Sequence, residues 1–130
     1  MPTTPKAPTR RAALAGAAAF AAARPALTQE TPPMYGLIGK MTAQAGQGAA
    51  LAQVLLEGVS GMPGCLSYVV AADPADADVL WITEVWDSAE SHRASLSLPA
   101  VQAAIARGRP MIAGMETVAQ TTPLGGHGLG

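Results

Sequence analysis

The segment VLWITEVW, Val79 to Trp86, restricts the fold of this chain more than any other stretch. It is rich in the β-branched and aromatic residues that favour strands, whose alternate side chains point to opposite faces of a sheet. Both faces are largely apolar, with Leu80, Ile82 and Trp86 on one and Val79, Trp81 and Val85 on the other. Helices can cover only one of these faces, and the chain has few residues left for another layer. We therefore expect a homodimer that packs sheet against sheet.

The periodicity of the remaining sequence predicts the elements around this strand. Short apolar runs bounded by Gly, Pro or Asp indicate strands, and apolar residues spaced three or four apart indicate helices. The predicted order is a strand at 34–41, a helix at 47–59, strands at 64–72 and 79–86, helices that start after Trp86 and at Pro99, and a strand at 111–120. This order is typical of the α+β ferredoxin-like fold, an antiparallel sheet with helices on one face.

Local signals define the connections between these elements. Residues 73–78, DPADAD, predict a turn that joins the second and third strands into an antiparallel hairpin. Asp87 and Glu90 have the spacing of a capping box, so Asp87 is the predicted N-cap of the next helix. Pro99 suits the first position of the last helix.

The first 33 residues predict an export signal followed by a linker. Arg10 and Arg11 precede twelve weakly apolar residues without charge, AALAGAAAFAAA. This pattern is typical of a twin-arginine secretory signal and is too short to span a membrane. A disordered Ala-rich tail is the alternative. The signal predicts a periplasmic or secreted protein.

The composition of residues 34–130 argues against several classes of function. This part of the chain carries four Lys or Arg residues against eight Asp or Glu residues, a net charge of −4. A nucleic-acid-binding protein would need a basic face with aromatic side chains on it, so nucleic acid is not an expected partner. The single cysteine, Cys65, and two histidines do not make a structural zinc site, and no metal is expected. Cys65 itself is predicted to be a small buried apolar residue.

Three short motifs carry a resemblance to a known family. They are EVWDS at 84–88, LPAVQAAI at 98–105 and the pattern GC-x-x-Y at 64–68. With the order of the predicted elements, they resemble the antibiotic biosynthesis monooxygenase family, and most closely its small quinol-monooxygenase-like members. The resemblance covers roughly residues 34–122, which leaves 123–130 as a glycine-rich C-terminal tail.

The resemblance implies a dimeric α+β barrel with a mostly apolar pocket in each subunit. Enzymes of this family oxidise polycyclic phenols or quinols with molecular oxygen, without metal, flavin or haem, so no cofactor is expected. The protein then has to deprotonate a small aromatic substrate, keep it dry and stabilise its anion. Because one fold can serve several functions, a non-catalytic dimeric barrel that binds a small hydrophobic molecule is the alternative.

The sequence also departs from parts of the family. A haem-degrading branch relies on an Asn in the first strand, a helix Trp and a later His that ligates iron. This chain contains no Asn, and Ser95 and Ile105 occupy the other two positions. Haem degradation is therefore disfavoured. Many quinol-type relatives carry a His where this chain has Ser95, whereas its nearest histidine, His92, lies about one turn earlier.

Two residues are the predicted proton acceptors. His92 lies near the start of a helix that would cover the pocket, where a neutral imidazole could accept a phenolic proton. A solvated helix histidine is the alternative. Glu84 shares a strand face with apolar residues, so its carboxylate must be paired or protonated more readily than usual. The structural interpretation of Glu84 is an ion pair with an arginine, namely Arg93, Arg107 or Arg109.

Three further residues are candidates for substrate binding. Trp86 is expected in the core, with stacking on a flat substrate as a secondary role. Tyr68, on the neighbouring strand, could donate a hydrogen bond to a quinone oxygen. The tail could bring His127 to the mouth of a pocket, with an unstructured tail as the alternative.

Overall fold

A computed structural model describes residues 31–129, which form one antiparallel sheet with helices packed against it. The elements are β1 (Tyr35–Ala43), α1 (Gly48–Gly58), β2 (Cys65–Asp73), β3 (Asp76–Trp86), α2 (Ala89–Ser95), α3 (Pro99–Gly108), a 3-10 turn (Arg109–Met111) and β4 (Ile112–Thr121). The strand order is β2-β3-β1-β4, and each neighbouring pair is antiparallel. The predicted α+β ferredoxin-like class is confirmed. Arg10, Arg11 and the rest of the predicted signal lie outside the described residues.

The two faces of β3 have different surroundings, as its sequence requires. Leu80, Ile82 and Trp86 are 1%, 4% and 1% exposed. Leu80 and Ile82 form a core with Ala43 of β1 and Leu51 of α1. This is the face that the helices cover.

The opposite face of the sheet stays partly open to solvent. Val79, Trp81 and Val85 are only half-buried, and Val69 on the neighbouring β2 is 50% exposed. Lys40 Nζ lies 5.5 Å from the centre of the Trp81 ring. We call this surface the open face. Its apolar character is the observation on which the expected dimer depends.

The predicted β2–β3 hairpin is present, but its turn is shorter than expected. Asp73 pairs with Asp76, so β3 begins at Asp76 and not at Val79. Asp73 Oδ1 accepts a hydrogen bond from the Ala75 N–H at 2.9 Å, which closes a two-residue connection. Trp81 Nε1 donates to the other oxygen of Asp73 at 3.0 Å, and this hydrogen bond lowers the pKa of Asp73.

The predicted capping box at α2 is wrong by one residue. Ser88 is the N-cap, and its Oγ accepts a hydrogen bond from the Ser91 N–H at 3.1 Å. The extended backbone of Ser88 brings its hydroxyl over the first turn, whereas Asp87 still belongs to the connection from β3. Glu90 instead accepts a hydrogen bond from Arg93 at 2.7 Å. Pro99 occupies the first turn of α3, as predicted.

A carboxylate from β3 caps helix α1. The N-cap residue Gln47 makes no side-chain capping bond. Asp78 does so from another strand, because its two carboxylate oxygens accept hydrogen bonds from the Gly46 and Gly48 N–H groups, each at 2.9 Å. A negative charge at a helix N-terminus is favourable. Asp78 therefore connects α1 to the strand that carries most of the core.

Helices α1 and α3 cross where both have small side chains. A Cβ atom added to Gly58 of α1 would lie 2.6 Å from the Cβ of Ala104 in α3. Real Cβ atoms do not approach so closely, so the crossing depends on glycine at this position. The two helices together pack over the covered face of the sheet.

Substitution of Asp78 by Ala tests the cap on α1. The variant Asp78→Ala should lower the free energy of unfolding by about 1 kcal/mol, because the helix loses its only side-chain cap among the described residues. Urea denaturation with an unchanged m-value measures this loss. Glu90→Ala, which removes an acid from an exposed pair within α2, should lower the free energy of unfolding much less. Equal effects for the two variants would contradict the capping role.

Candidate active site

A cavity of about 530 Å³ lies between the covered face of the sheet and helices α1, α2 and α3. Most of its wall is apolar, with Leu55, Met62, Val101 and Met115 among the lining residues. A smaller cavity of about 280 Å³ shares part of this wall. The residues common to both cavities are Met41, Tyr68, Glu84, His92 and Met115. The polar side chains therefore gather where the two spaces meet.

Glu84 lies at the centre of this polar group. In the sheet register it is directly opposite Tyr68 on one side and Leu37 on the other. Its Oε1 accepts a hydrogen bond from Trp86 Nε1 at 2.9 Å and lies 3.9 Å from His92 Nε2. Residues two apart on a strand share a face, so the indole can reach the carboxylate of its own strand.

The predicted ion pair between Glu84 and an arginine is wrong. Arg93 pairs with Glu90 at 2.7 Å, and Arg107 pairs with Glu57 at 3.1 Å. Both pairs are exposed. The indole N–H of Trp86 donates to the carboxylate instead, so the hydrogen-bond partner of Glu84 is a neutral donor and not an arginine.

His92 faces the cavity from the first turns of α2. Its side chain is 22% exposed and lies between two aromatic rings, with centroid distances of 5.2 Å to Tyr35 and 5.4 Å to Trp86. The contact with Trp86 is edge-on. His92 is thus a half-buried residue of the cavity wall, next to Glu84. Ser95, at the position where many relatives carry histidine, is buried and donates its hydroxyl to the His92 carbonyl at 2.6 Å.

Tyr68 and Trp86 have different surroundings in the wall. Burial raises the pKa of the Tyr68 hydroxyl, and the nearby negative charge of Glu84 raises it further. Tyr68 therefore remains a neutral hydrogen-bond donor over the physiological range. Trp86 is only 1% exposed, so its ring offers little surface for a substrate to stack on. Its indole N–H is already engaged with Glu84.

The structure does not bring the remaining candidates together with this group. His127 is exposed in the C-terminal tail and does not line either cavity. Cys65 is half-buried and not fully buried as predicted, and desolvation raises the pKa of its thiol. Conversely, Arg109 lines the larger cavity, whereas its sequence context suggested only an ion-pair partner. Its position depends on the 3-10 turn after α3, and Pro110 is the only feature of the sequence that indicates this turn.

The described residues contain neither a metal-binding cluster nor a membrane-spanning helix. Within residues 31–129, no three His, Cys, Asp or Glu side chains come close enough to hold a metal ion. No helix in the same range has the length and apolar character needed to cross a membrane.

The fold and its cavity define a small ferredoxin-like α+β protein that encloses an apolar pocket under its helices. Residues 34–107 match the family model described as antibiotic biosynthesis monooxygenase. The chain therefore belongs to the antibiotic biosynthesis monooxygenase family, and the family predicted from the motifs is confirmed. No curated protein matches the chain.

Solved structures show the same relationship. A protein from Chloroflexus aurantiacus, provisionally named an antibiotic biosynthesis monooxygenase, is 67% identical, with a TM-score of 0.72 over 75% of this chain and 99% of its own. A Pseudomonas aeruginosa protein is 21% identical, with a TM-score of 0.64 over 74% of this chain and 99% of its own. A Caulobacter crescentus protein with the same provisional name is 20% identical, with a TM-score of 0.65 over 73% and 93%. The last two share the fold.

The titration of Tyr68 tests the surroundings of the polar group. Tyr35→Phe leaves Tyr68 as the only tyrosine of the chain. Its absorbance titration in the folded protein should have a midpoint above the ordinary tyrosine pKa near 10. Because the folded-state pKa is the higher one, the stability that neutral Tyr68 contributes is complete below about pH 10 and is lost as the pH rises further.

The same variant unfolded in urea supplies the control, with a midpoint near the ordinary value. Adding Glu84→Gln should lower the midpoint of the folded protein, since a neighbouring negative charge is removed. A folded midpoint equal to the unfolded one would contradict the burial of Tyr68 beside Glu84.

Proposed function

We propose that the protein is a cofactor-independent monooxygenase that oxidises a phenolic or quinol-like aromatic substrate with molecular oxygen. The observation that carries this proposal is the grouping of Glu84, Tyr68 and His92 at one side of a mostly apolar cavity. Flat aromatic molecules fit apolar walls, and a few polar groups suffice to orient them. Membership of the family supports the reaction class.

Glu84 is the proposed proton acceptor. Trp86 fixes Oε1 of its carboxylate, and Oε2 has no hydrogen-bond partner among residues 31–129. A carboxylate that is held in place with one oxygen free can accept a proton from a substrate hydroxyl. His92, 3.9 Å from Oε1, is placed to stabilise the charge on Glu84 or to pass the proton on.

Tyr68 is the proposed donor to the substrate anion. Directly opposite residues in an antiparallel sheet have Cβ atoms about 4.5–5.5 Å apart. Glu84 and Tyr68 are such a pair, so one substrate oxygen can lie near both. Glu84 would take its proton, and the neutral Tyr68 hydroxyl would donate a hydrogen bond to the resulting oxyanion.

The electron-rich anion then reduces oxygen directly. For an anthrone, one atom of O₂ becomes a new ring carbonyl, and the other leaves as water with the two hydrogens of the oxidised carbon. The substrate supplies all the electrons. The apolar wall excludes bulk water from this step.

Glu84→Gln tests the proton acceptor. The glutamine keeps an oxygen for the Trp86 N–H but cannot act as the base, so the rate of oxygen consumption with anthrones or hydroquinones should fall about 10²–10⁴-fold. Glu57→Gln, which neutralises an exposed acid of α1, should leave the rate unchanged.

Other outcomes separate the alternatives. An unchanged rate in Glu84→Gln together with a loss of similar size in His92→Ala would transfer the role of base to His92. If the unmodified protein consumes no oxygen, yet its tryptophan fluorescence is quenched by these aromatics, the protein is a binder of small hydrophobic molecules and not an oxygenase.

We also propose that two copies pair through the open face. Thr83 lies near the middle of this face, opposite Ile38 of β1 and Val69 of β2. Burial of these apolar neighbours against a second sheet would remove the exposed surface that a single chain leaves.

Light scattering tests this pairing. The unmodified protein should have the mass of two chains at micromolar concentration. Thr83→Arg places a charge on an exposed position of the open face, so it should give the mass of one chain without loss of folding. Leu56→Arg adds the same charge on helix α1, where Leu56 is 52% exposed, and should leave the mass unchanged. A monomeric unmodified protein would refute the pairing.

Export is proposed from the sequence of residues 1–33. Paired arginines followed by an uncharged Ala-rich stretch support a twin-arginine signal and a periplasmic or secreted location. That route carries folded proteins, which suits a chain whose pocket is complete once the sheet and helices have packed.

A further inference from the structure

The cavity has a second charged side chain that the proposed chemistry does not use. Arg109 lines the larger cavity from the 3-10 turn that follows α3. Arg93 and Arg107 each have a carboxylate partner, but Arg109 has none within 4 Å among residues 31–129. Arg109, a solvent-exposed residue at the end of the cavity, is thus the arginine of its lining without a carboxylate partner among residues 31–129.

Arg109 and Glu84 lie toward opposite ends of the sheet. The 3-10 turn leads into Ile112, which pairs with Ala43 of β1, whereas Glu84 pairs with Leu37 of the same strand. These two β1 positions are six residues apart, which corresponds to about 20 Å at the rise of a strand. The acid and the cation are therefore separated by the apolar length of the cavity.

The two ends of the cavity favour different groups of a ligand. Guanidinium groups bind carboxylates through two parallel hydrogen bonds, and such charge-assisted bonds are stronger beside apolar walls than in water. An anionic group near Arg109 would be attracted there and would stay away from the negative charge of Glu84. A hydroxyl at the other end of the same molecule would reach Glu84 and Tyr68.

We propose that the cavity accepts a fused-ring aromatic hydroxy acid, with its hydroxyl at Glu84 and its carboxylate at Arg109. This inference rests on the proposed function, because it uses the same cavity and the same proton acceptor. It adds a specificity-determining residue, Arg109, and narrows the substrate class from phenols in general to anionic phenols.

The structural alternative is that Arg109 only offsets the negative end of the α3 dipole. Arg107, two residues earlier, is equally close to that helix end, but it pairs with Glu57 and does not line the cavity. The two arginines therefore form a matched pair. A dipole role would be shared by both, whereas a ligand role belongs to Arg109 alone.

Calorimetric titration with two probes tests the proposal. The probes are 6-hydroxy-2-naphthoate, which has its hydroxyl and carboxylate at opposite ends, and 2-naphthol, which lacks the carboxylate. The unmodified protein should bind the naphthoate more tightly than the naphthol. Arg109→Gln should weaken binding of the naphthoate about ten- to a hundredfold, the range for a hydrogen bond to a charged group, and leave naphthol binding unchanged. Arg107→Gln should change neither affinity.

Two other results would overturn the proposal. Equal affinities for the two probes, or equal losses in Arg109→Gln and Arg107→Gln, would overturn the role of Arg109 while leaving the cavity as an aromatic site. Binding of neither probe would overturn this inference and the proposed aromatic site together. A matching thermal midpoint for both variants would show that any loss of affinity comes from the ligand contact and not from the fold.

Discussion

The hydrogen bond from the Trp86 indole to the Glu84 carboxylate links the core of this protein to its candidate chemistry. The indole is almost completely buried, so its N–H needs an acceptor, and the carboxylate at the edge of an apolar cavity needs a donor. Each group satisfies the other, which lowers the free-energy cost of burying both polar groups. Because Trp86 is rigidly packed, its hydrogen bond holds Glu84 in a fixed position. That position determines where Tyr68 and His92 can act.

Much of the fold follows from patterns that are local in the sequence. The two apolar faces of β3 and the helical spacing in α1 depend on side-chain periodicity, which the backbone geometry sets directly. The structure differs from the sequence predictions where a choice between neighbours depends on one dihedral angle, as at Ser88, or where a side chain shortens a turn, as at Asp73. Sequence periodicity contains no information about either choice.

The sequence indicates several residues of the cavity wall, but not the contacts between them. The sequence indicates Glu84 by its apolar strand face, His92 by its place near the start of a covering helix and Tyr68 by the neighbouring strand, and all three line the cavity. The partner of Glu84 was not predictable, because an arginine from a helix and an indole from the same strand are both chemically suitable. Only the register and rotamers of the folded chain select the indole. The position of Arg109 in the cavity wall depends on the path of the chain after α3, which side-chain periodicity does not define.

The contact between Gly58 and Ala104 has a consequence for the evolution of this pocket. Both residues line the cavity, and their small size lets α1 and α3 pack closely. This close packing limits the volume of the cavity. A larger side chain at either position would lift one helix away from the other and enlarge the space below, without altering Glu84, Tyr68 or His92. Pocket volume and chemistry are therefore encoded on separate elements, so relatives can change the size of the molecule they accept through helix spacing alone.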